Sequence, residues 1–365
     1  MHIHYLLTDL NSGGAAQPIP DLVALMRDQG HTVRVLALLP KDRKGAAQLD
    51  RAGIAWELLG NSRRDTLPAA RALLRILRED RPDLLWTSLT RATIYGAIAG
   101  WLCGIPVLSW QHNSWLKPGD RRLLRLSRRL TALWVADSRT VAEFAAQSLD
   151  IARSKIEVWP LFRARTEVPV ARPCAPGTPF RIGGLGRLHA DKNFCHLIAA
   201  AALISERDPA LATRLEFVIG GQGGEYARLA AQIAAAGLDN VRLAGHVDDP
   251  IAFLSTLHAY VQPSHHEGLC IAAHEAMQAA LPVIATRVGE LCRSVLPGET
   301  GYLAEVGDVP AIAQAIIELA RDPARAARLG AAGRERVLSL FGEAEFRRAG
   351  IAVLRRAASP EILGR

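Results

Sequence analysis

The sequence predicts two doubly wound α/β domains, each built on a parallel sheet. Three observations lead there. Short β-rich runs alternate with helix-length amphipathic stretches. A segment with four prolines, RARTEVPVARPCAPGTP, breaks the pattern near residues 163–178 and reads as a linker. The alternation then starts again. At 365 residues, with 49% apolar and 22% charged residues, the chain is long enough for two ordinary cores. The expected division is a first domain over 1–165, a linker over 166–178, a second domain over 179–340 and closing helices over 341–365.

The first domain opens on HIHYLLTDL, an apolar run bounded by turn residues, as a buried strand should be. A glycine loop and a helix follow in NSGGAAQPIPDLVALMRDQG. Gly13 and Gly14 let the backbone approach a ligand, and the helix start behind them favours an anion; a close-packed turn with no ligand would use the same residues. TVRVLALL, DLLWTSL, PVLSWQH, ALWVADS and IEVWPLF are the next strands. PVLSWQH ends on His112, at the carboxyl end of its strand, where ligands of such sheets bind. An imidazole there can hydrogen-bond a substrate, carry a proton or serve structure alone. At 100° per residue, RRLLRLSRRL at 121–130 gathers five arginines in an arc of about 120° and four leucines on the rest. Such a basic amphipathic helix suits either the cover of a sheet or an anionic leaflet.

The second domain reads FRIGGLG, RLEFVIGG, VRLAGHV, AYVQPS, PVIATR and GYLAEV as strands. After the first, GLGRLHADKNF offers Arg187 and Lys192, a fork and a point charge suited to a diphosphate. In PSHHEGLCIAAHEAM a strand ends, Gly268 turns the chain, and a run of good helix formers continues to Pro282. The free N–H groups of Gly268, Leu269 and Cys270 at that helix start would form an anion site. Glu267 and Glu275 would repel phosphate, so they should accept hydrogen bonds from neutral hydroxyls, which sugars supply. The competing reading is a capped helix with two solvated glutamates. The tail, with EAEFRRAGIAVLRRA, has helical pattern and no strand to pair.

Several function classes are excluded. Neither GGLGRLH nor GGQGGEY completes G-x-G-x-x-G, which argues against a nicotinamide enzyme. His266, Cys270 and His274 could ligate zinc on one continuous helix, but the turn at Gly268 places the helix start after it, so no metal site is expected. Asp248 and Asp249 before Pro250 read as a turn or helix cap. Five scattered cysteines without a C-x-x-C pair suit reduced thiols. No run approaches the length of a membrane span and the N-terminus has no leader pattern, so a cytoplasmic protein is expected. Residues 1–172 carry 25 Lys and Arg against 16 Asp and Glu, a net +9, and the remainder carries −1. With aromatics at 5% and not interleaved among the arginines, nucleic acid is not an expected partner.

These motifs together resemble the retaining glycosyltransferases of family 4, which have the GT-B fold, two Rossmann-like domains facing across a cleft. SGGAAQPIPDLVALMRDQGHTV is similar to the family's N-terminal glycine loop and helix, GLGRLHADKNF to its Arg…Lys loop, and PSHHEGLCIAAHEAMQAALPVIATRVGE to its nucleotide-sugar segment. The resemblance implies that Arg187 and Lys192 hold the donor diphosphate and that Glu275 binds ribose hydroxyls. It implies further that Glu267, with the backbone of Gly268, Leu269 and Cys270, contacts the transferred sugar and phosphate. Gly13 and Gly14 would line the cleft, and His112 would sit near the reacting sugar. Ala15 and Ala16 stand where members often carry an acid, and VGELCRSV where they often carry a Gly and a Pro-Glu pair.

The expected activity is transfer of a hexosyl unit from a UDP- or GDP-linked donor to a glycan or lipid-linked acceptor hydroxyl, with retention. No metal or other cofactor is expected. Cell-surface polysaccharide or lipopolysaccharide synthesis is the expected setting, and the basic first half suggests peripheral contact with the anionic inner face of the membrane through 121–130. A nucleotide-sugar 2-epimerase of the same architecture, and a non-catalytic protein that binds a nucleotide sugar or glycan, are the alternatives.

Overall fold

The computed structural model of this chain describes residues 1–10, 17–40, 45–62 and 64–364. Among them the chain divides into two compact units, Met1–Arg163 with Ala344–Arg365, and Ala164–Glu343. In the first, the strands are β1 (His2–Leu7), β2 (Thr32–Ala37), β3 (Trp56–Leu58), β4 (Leu84–Ser88), β5 (Val107–Gln111), β6 (Leu133–Ala136) and β7 (Ile156–Val158). They form one parallel sheet in the order β3-β2-β1-β4-β5-β6-β7. Six of the seven lie in the runs read from the sequence. The exception, β3, has three half-buried residues around Glu57, too short and too polar to stand out.

The second unit holds β8 (Phe180–Leu185), β9 (Leu215–Gly220), β10 (Val241–Gly245), β11 (Ala259–Gln262), β12 (Val283–Thr286) and β13 (Gly301–Ala304). Its parallel order is β10-β9-β8-β11-β12-β13. Both sheets reverse direction beside their first strand, between β1 and β4 and between β8 and β11. In doubly wound sheets that reversal opens a crevice at the carboxyl ends, and ligands bind there.

Fully buried strands explain the near-continuous apolar runs. Tyr5, Trp86, Trp110 and Trp159 fill the first core, with ring centroids 5.2 Å apart for Trp110 and Trp159 and 5.4 Å for Trp86 and Trp110. The helix Glu343–Ala357 seats Phe346 on Trp159 at 5.5 Å. At Gly350, a Cβ would meet Leu25 at 2.4 Å and Trp159 at 2.6 Å, so the helix can lie this close only without a side chain there. The tail is thus part of the first unit. The stretch expected as a linker, 166–178, clusters instead with the second unit. Arg334 explains this, since its guanidinium donates to the carbonyls of Thr166, Val168 and Gln278 and Ala171 N–H donates to Ala279 O at 2.8 Å. No helix among the described residues is long and apolar enough to cross a membrane, and the five cysteines are free.

Candidate active site

The loops after β8 and β11 flank the reversal point of the second sheet, and they are tied together by the His265 N–H, which donates to Asp191 O at 2.8 Å. Along β11 the alternate residues Tyr260, Gln262 and Ser264 are fully buried, and their side chains form a directional chain. Burial holds the Tyr260 phenol well above its ordinary range, so it remains a donor, to Gln262 Oε1 at 2.7 Å. Gln262 Nε2 donates to Ser264 Oγ at 2.7 Å. Ser264 in turn donates to Glu267 Oε1 at 2.6 Å, with Gln262 Nε2 at 3.3 Å from the same oxygen. Lys192 Nζ completes the set at 2.7 Å. Glu267 is 8% exposed, a depth at which a carboxylate needs such donors. Burial works against the Lys192 charge, but the Glu267 carboxylate outweighs it and holds the ammonium above its usual pKa.

This corrects one expectation. Glu267 Oε1 is not an open acceptor for ligand hydroxyls; it is committed to Lys192 and to the β11 chain. Arg187, on the same loop as Lys192, is exposed and donates to no protein acceptor among the described residues. Glycine explains the packing of the loops around it. At Gly221, φ is +141° and a Cβ would fall 1.8 Å from Gly186 O, and at Gly223 it would fall 2.1 Å from Leu188 O, so these two glycines of GGQGGEY serve close approach of backbone to backbone.

The helix after the turn is Ile271–Gln278, with Cys270 before it in the left-handed region at φ 65°. Strain of this kind in a non-glycine residue concentrates at functional sites. Two contacts hold it. His274 Nδ1 lies 2.9 Å from Cys270 O and its Nε2 2.7 Å from Ser294 Oγ. Burial lowers the His274 pKa to about 4, so the ring is neutral; Nδ1–H donates to the carbonyl and Nε2 accepts from Ser294. Gly289, at φ +55°, lies where a Cβ would meet Glu267 O and Gly268 O at 2.5 Å. Burial, and then Glu267, push the Cys270 thiol far up, so the free thiol stays protonated. The N–H groups of Gly268, Leu269 and Cys270 donate to no protein acceptor among the described residues. Glu275, about 7 Å further along the axis at 1.5 Å per residue, has a carboxylate with no hydrogen-bond or ion-pair partner among those residues, and burial raises it from 4.5 to about 7.

In the first unit, His112 follows β5 and is held between Ser88 and Asp137, with Nε2 2.6 Å from Ser88 Oγ and Nδ1 3.0 Å from Asp137 Oδ1. Nothing in the local sequence announces these partners, because they come from neighbouring strands. Gly13 and Gly14 lie outside the described residues. The basic helix is Pro118–Ser127, followed by a 3-10 turn at Arg128–Leu130, so the α-helix lies three residues earlier than the 121–130 pattern suggests. Leu124 is buried, but Leu123 is 48% and Leu126 68% exposed, and the neighbouring helix Thr90–Cys103 adds Trp101 at 67%. Arg121, Arg122 and Arg125 are exposed beside them. His2, His4 and Asp80 stand within metal-ligand reach of one another, but at the amino ends of the strands, and Asp80 is already paired with Arg34.

Comparison with known proteins gives the family and the fold. The family model of the glycosyl transferases group 1 matches residues 172–336, and that of glycosyltransferase family 4 matches 12–162. The capsular polysaccharide biosynthesis glycosyltransferase CapM of Staphylococcus aureus is 40% identical over 28% of this chain and 27% of its own length. Glycogen synthase of Mycobacterium tuberculosis is 30% identical over 71% of this chain and 60% of its own. The matched region thus spans less than two thirds of either relative. Among solved structures, Anabaena HepE in complex with UDP-glucose superposes with a TM-score of 0.84 at 21% identity, over 98% of this chain and 100% of that one. Sucrose-phosphate synthase of Thermosynechococcus elongatus reaches 0.80 at 20%, over 98% and 100%. At such identities the likeness establishes the fold.

Proposed function

We infer that this chain, which belongs to glycosyltransferase family 4, moves a hexosyl unit from a nucleoside diphosphate sugar to an acceptor hydroxyl with retention of configuration. One observation carries the reading. A single loop and helix present unpartnered N–H groups at Gly268, Leu269 and Cys270 and, a turn and a half on, the unpartnered carboxylate of Glu275. The first attracts phosphate and the second accepts from neutral hydroxyls, and a nucleoside diphosphate carries both at that separation. The relatives' names, and UDP-glucose in the HepE structure, support a nucleotide-sugar donor and a polysaccharide acceptor.

In this reading Arg187, Lys192 and the helix start stabilise charge on the leaving diphosphate as the C1–O bond breaks. Glu267 keeps Lys192 charged and aimed. The acceptor oxygen bonds to C1 on the face that the diphosphate leaves, and the acceptor proton passes to a phosphate oxygen. No metal is needed for these steps. The test is incubation with UDP- and GDP-hexoses and a panel of acceptors, read by NMR. An α-linked product from an α-linked donor is expected, whereas a β-linked product, or an epimer formed from donor alone, would overturn the reading.

The face made by Leu123, Leu126 and Trp101, bordered by Arg121, Arg122 and Arg125, supports peripheral binding to an anionic membrane that carries the acceptor. Co-sedimentation with phosphatidylglycerol-containing vesicles is expected at low salt. It should weaken as salt shortens the Debye length, and in Trp101→Ser with Leu126→Ser. Equal recovery with neutral vesicles, or none with anionic ones, would contradict it.

A further inference from the structure

Ser88 ends β4, His112 follows β5 and Asp137 follows β6, and these strands are adjacent in the sheet. Their carboxyl ends therefore line up a hydroxyl, an imidazole and a carboxylate in one row. His112 Nε2 lies 2.6 Å from Ser88 Oγ, and Nδ1 lies 3.0 and 3.1 Å from the two oxygens of Asp137. Side-chain exposure is 9% for His112 and 5% for Asp137, and Ser88 has none. A nucleophilic serine is thereby excluded, since no substrate could reach it. The imidazole also stacks on Trp110, with centroids 6.1 Å apart and planes 19° apart, so both nitrogens and one face of the ring are occupied.

The protons follow from the donor inventory. A carboxylate only accepts, so Nδ1 must carry hydrogen. Besides His112, Ser88 Oγ faces the hydroxyl of the buried Tyr5, which has no other hydrogen-bond partner among the described residues. If Nε2–H donated to it, one hydroxyl hydrogen of the Ser88–Tyr5 pair would be buried without an acceptor, at the cost of an unmade bond. If Nε2 is bare, Tyr5 donates to Ser88 and Ser88 to Nε2, and every hydrogen has an acceptor. We propose that Asp137 and Ser88 are positioning residues that hold His112 as the neutral Nδ1–H imidazole, with Ser88 donating to Nε2. His112 then serves the transfer as a fixed polar surface and not as a proton carrier. Only the kinetic part of this proposal rests on the transferase reading.

The test is a long-range 1H–15N correlation spectrum of protein labelled at histidine, with His112 assigned by its loss in His112→Gln. At neutral pH the wild type should show a protonated Nδ1 and a bare Nε2. Ser88→Ala should keep that pattern. Asp137→Asn should move it toward Nε2–H, because an amide can donate to Nδ1, and should lower kcat roughly 10- to 100-fold through misplacement of the ring while nucleotide affinity stays within about twofold. A doubly protonated or Nε2–H ring in the wild type, or an Asp137→Asn variant with unchanged tautomer and kcat, would overturn the proposal. Absence of any transfer by the wild type, with the Nδ1–H pattern intact, would count against the transferase reading and leave the tautomer standing.

Discussion

Replacing Lys192 by alanine is expected to lower turnover by about two to three orders of magnitude, the range for loss of a preorganised charge at a developing anion. The same change removes the ammonium from a Glu267 that is 8% exposed, and should destabilise the fold by roughly 2 kcal/mol. The two effects are separable. In Lys192→Met combined with Glu267→Gln the buried charge is gone, so thermal stability should return toward that of wild type while turnover remains lost. Steady-state kinetics and a melting curve on both variants provide the check. Near-normal turnover in Lys192→Ala would remove Lys192 from the diphosphate site, and equal melting of the single and double variants would mean that the pair contributes nothing to the loop.

The second large effect concerns Glu275. Burial raises its carboxyl from 4.5 to about 7, and the ionised form is the one that accepts from two ribose hydroxyls. Nucleotide affinity should therefore rise with pH through about 7 and level off above, because binding draws the proton away. The sign for stability is opposite. A carboxyl raised in the folded state favours the fold most below its ordinary pKa, so the free protein should lose stability as pH rises from 4.5 through about 7, and nucleotide should offset that loss. A terminal phosphate itself titrates near about 6. Glu275→Gln is the control, in which the phosphate's share of the pH dependence remains and the rest disappears. An identical pH profile in wild type and Glu275→Gln would refute the ribose assignment.

How much of this was legible in the sequence depends on the distance over which each feature is encoded. The strand, turn and helix of PSHHEGLCIAAHEAM are local, punctuated by Gly268 and Pro282, so the helix start after Gly268 and the open N–H groups could be read directly, although the helix ends at Gln278, short of Pro282. The Lys192–Glu267 pair joins residues 75 apart in sequence. Each was visible as a charge in a loop, but their mutual neutralisation was not, because it depends on β8 and β11 being neighbours. The Ser88–His112–Asp137 row depends likewise on the order β4-β5-β6, which spacing does not encode. Period-2 alternation of Tyr260, Gln262 and Ser264 was a signal that could have pointed to a polar chain under Glu267. β3 was missed because three residues around a glutamate carry no apolar pattern. The stretch at 166–178 looked like a linker by its prolines, yet Arg334, far along the chain, binds its carbonyls into the second unit.

The central claim is that the loop and helix from Glu267 to Glu275 hold one nucleoside diphosphate by both ends. Calorimetric titration of UDP, GDP and ADP, without metal, into wild type and Glu275→Ala tests it most directly. The account predicts that one of the three binds wild type and binds the variant at least about tenfold more weakly, the loss expected for hydrogen bonds to a charged acceptor. No binding by any of them, or equal affinity in the variant, would contradict it.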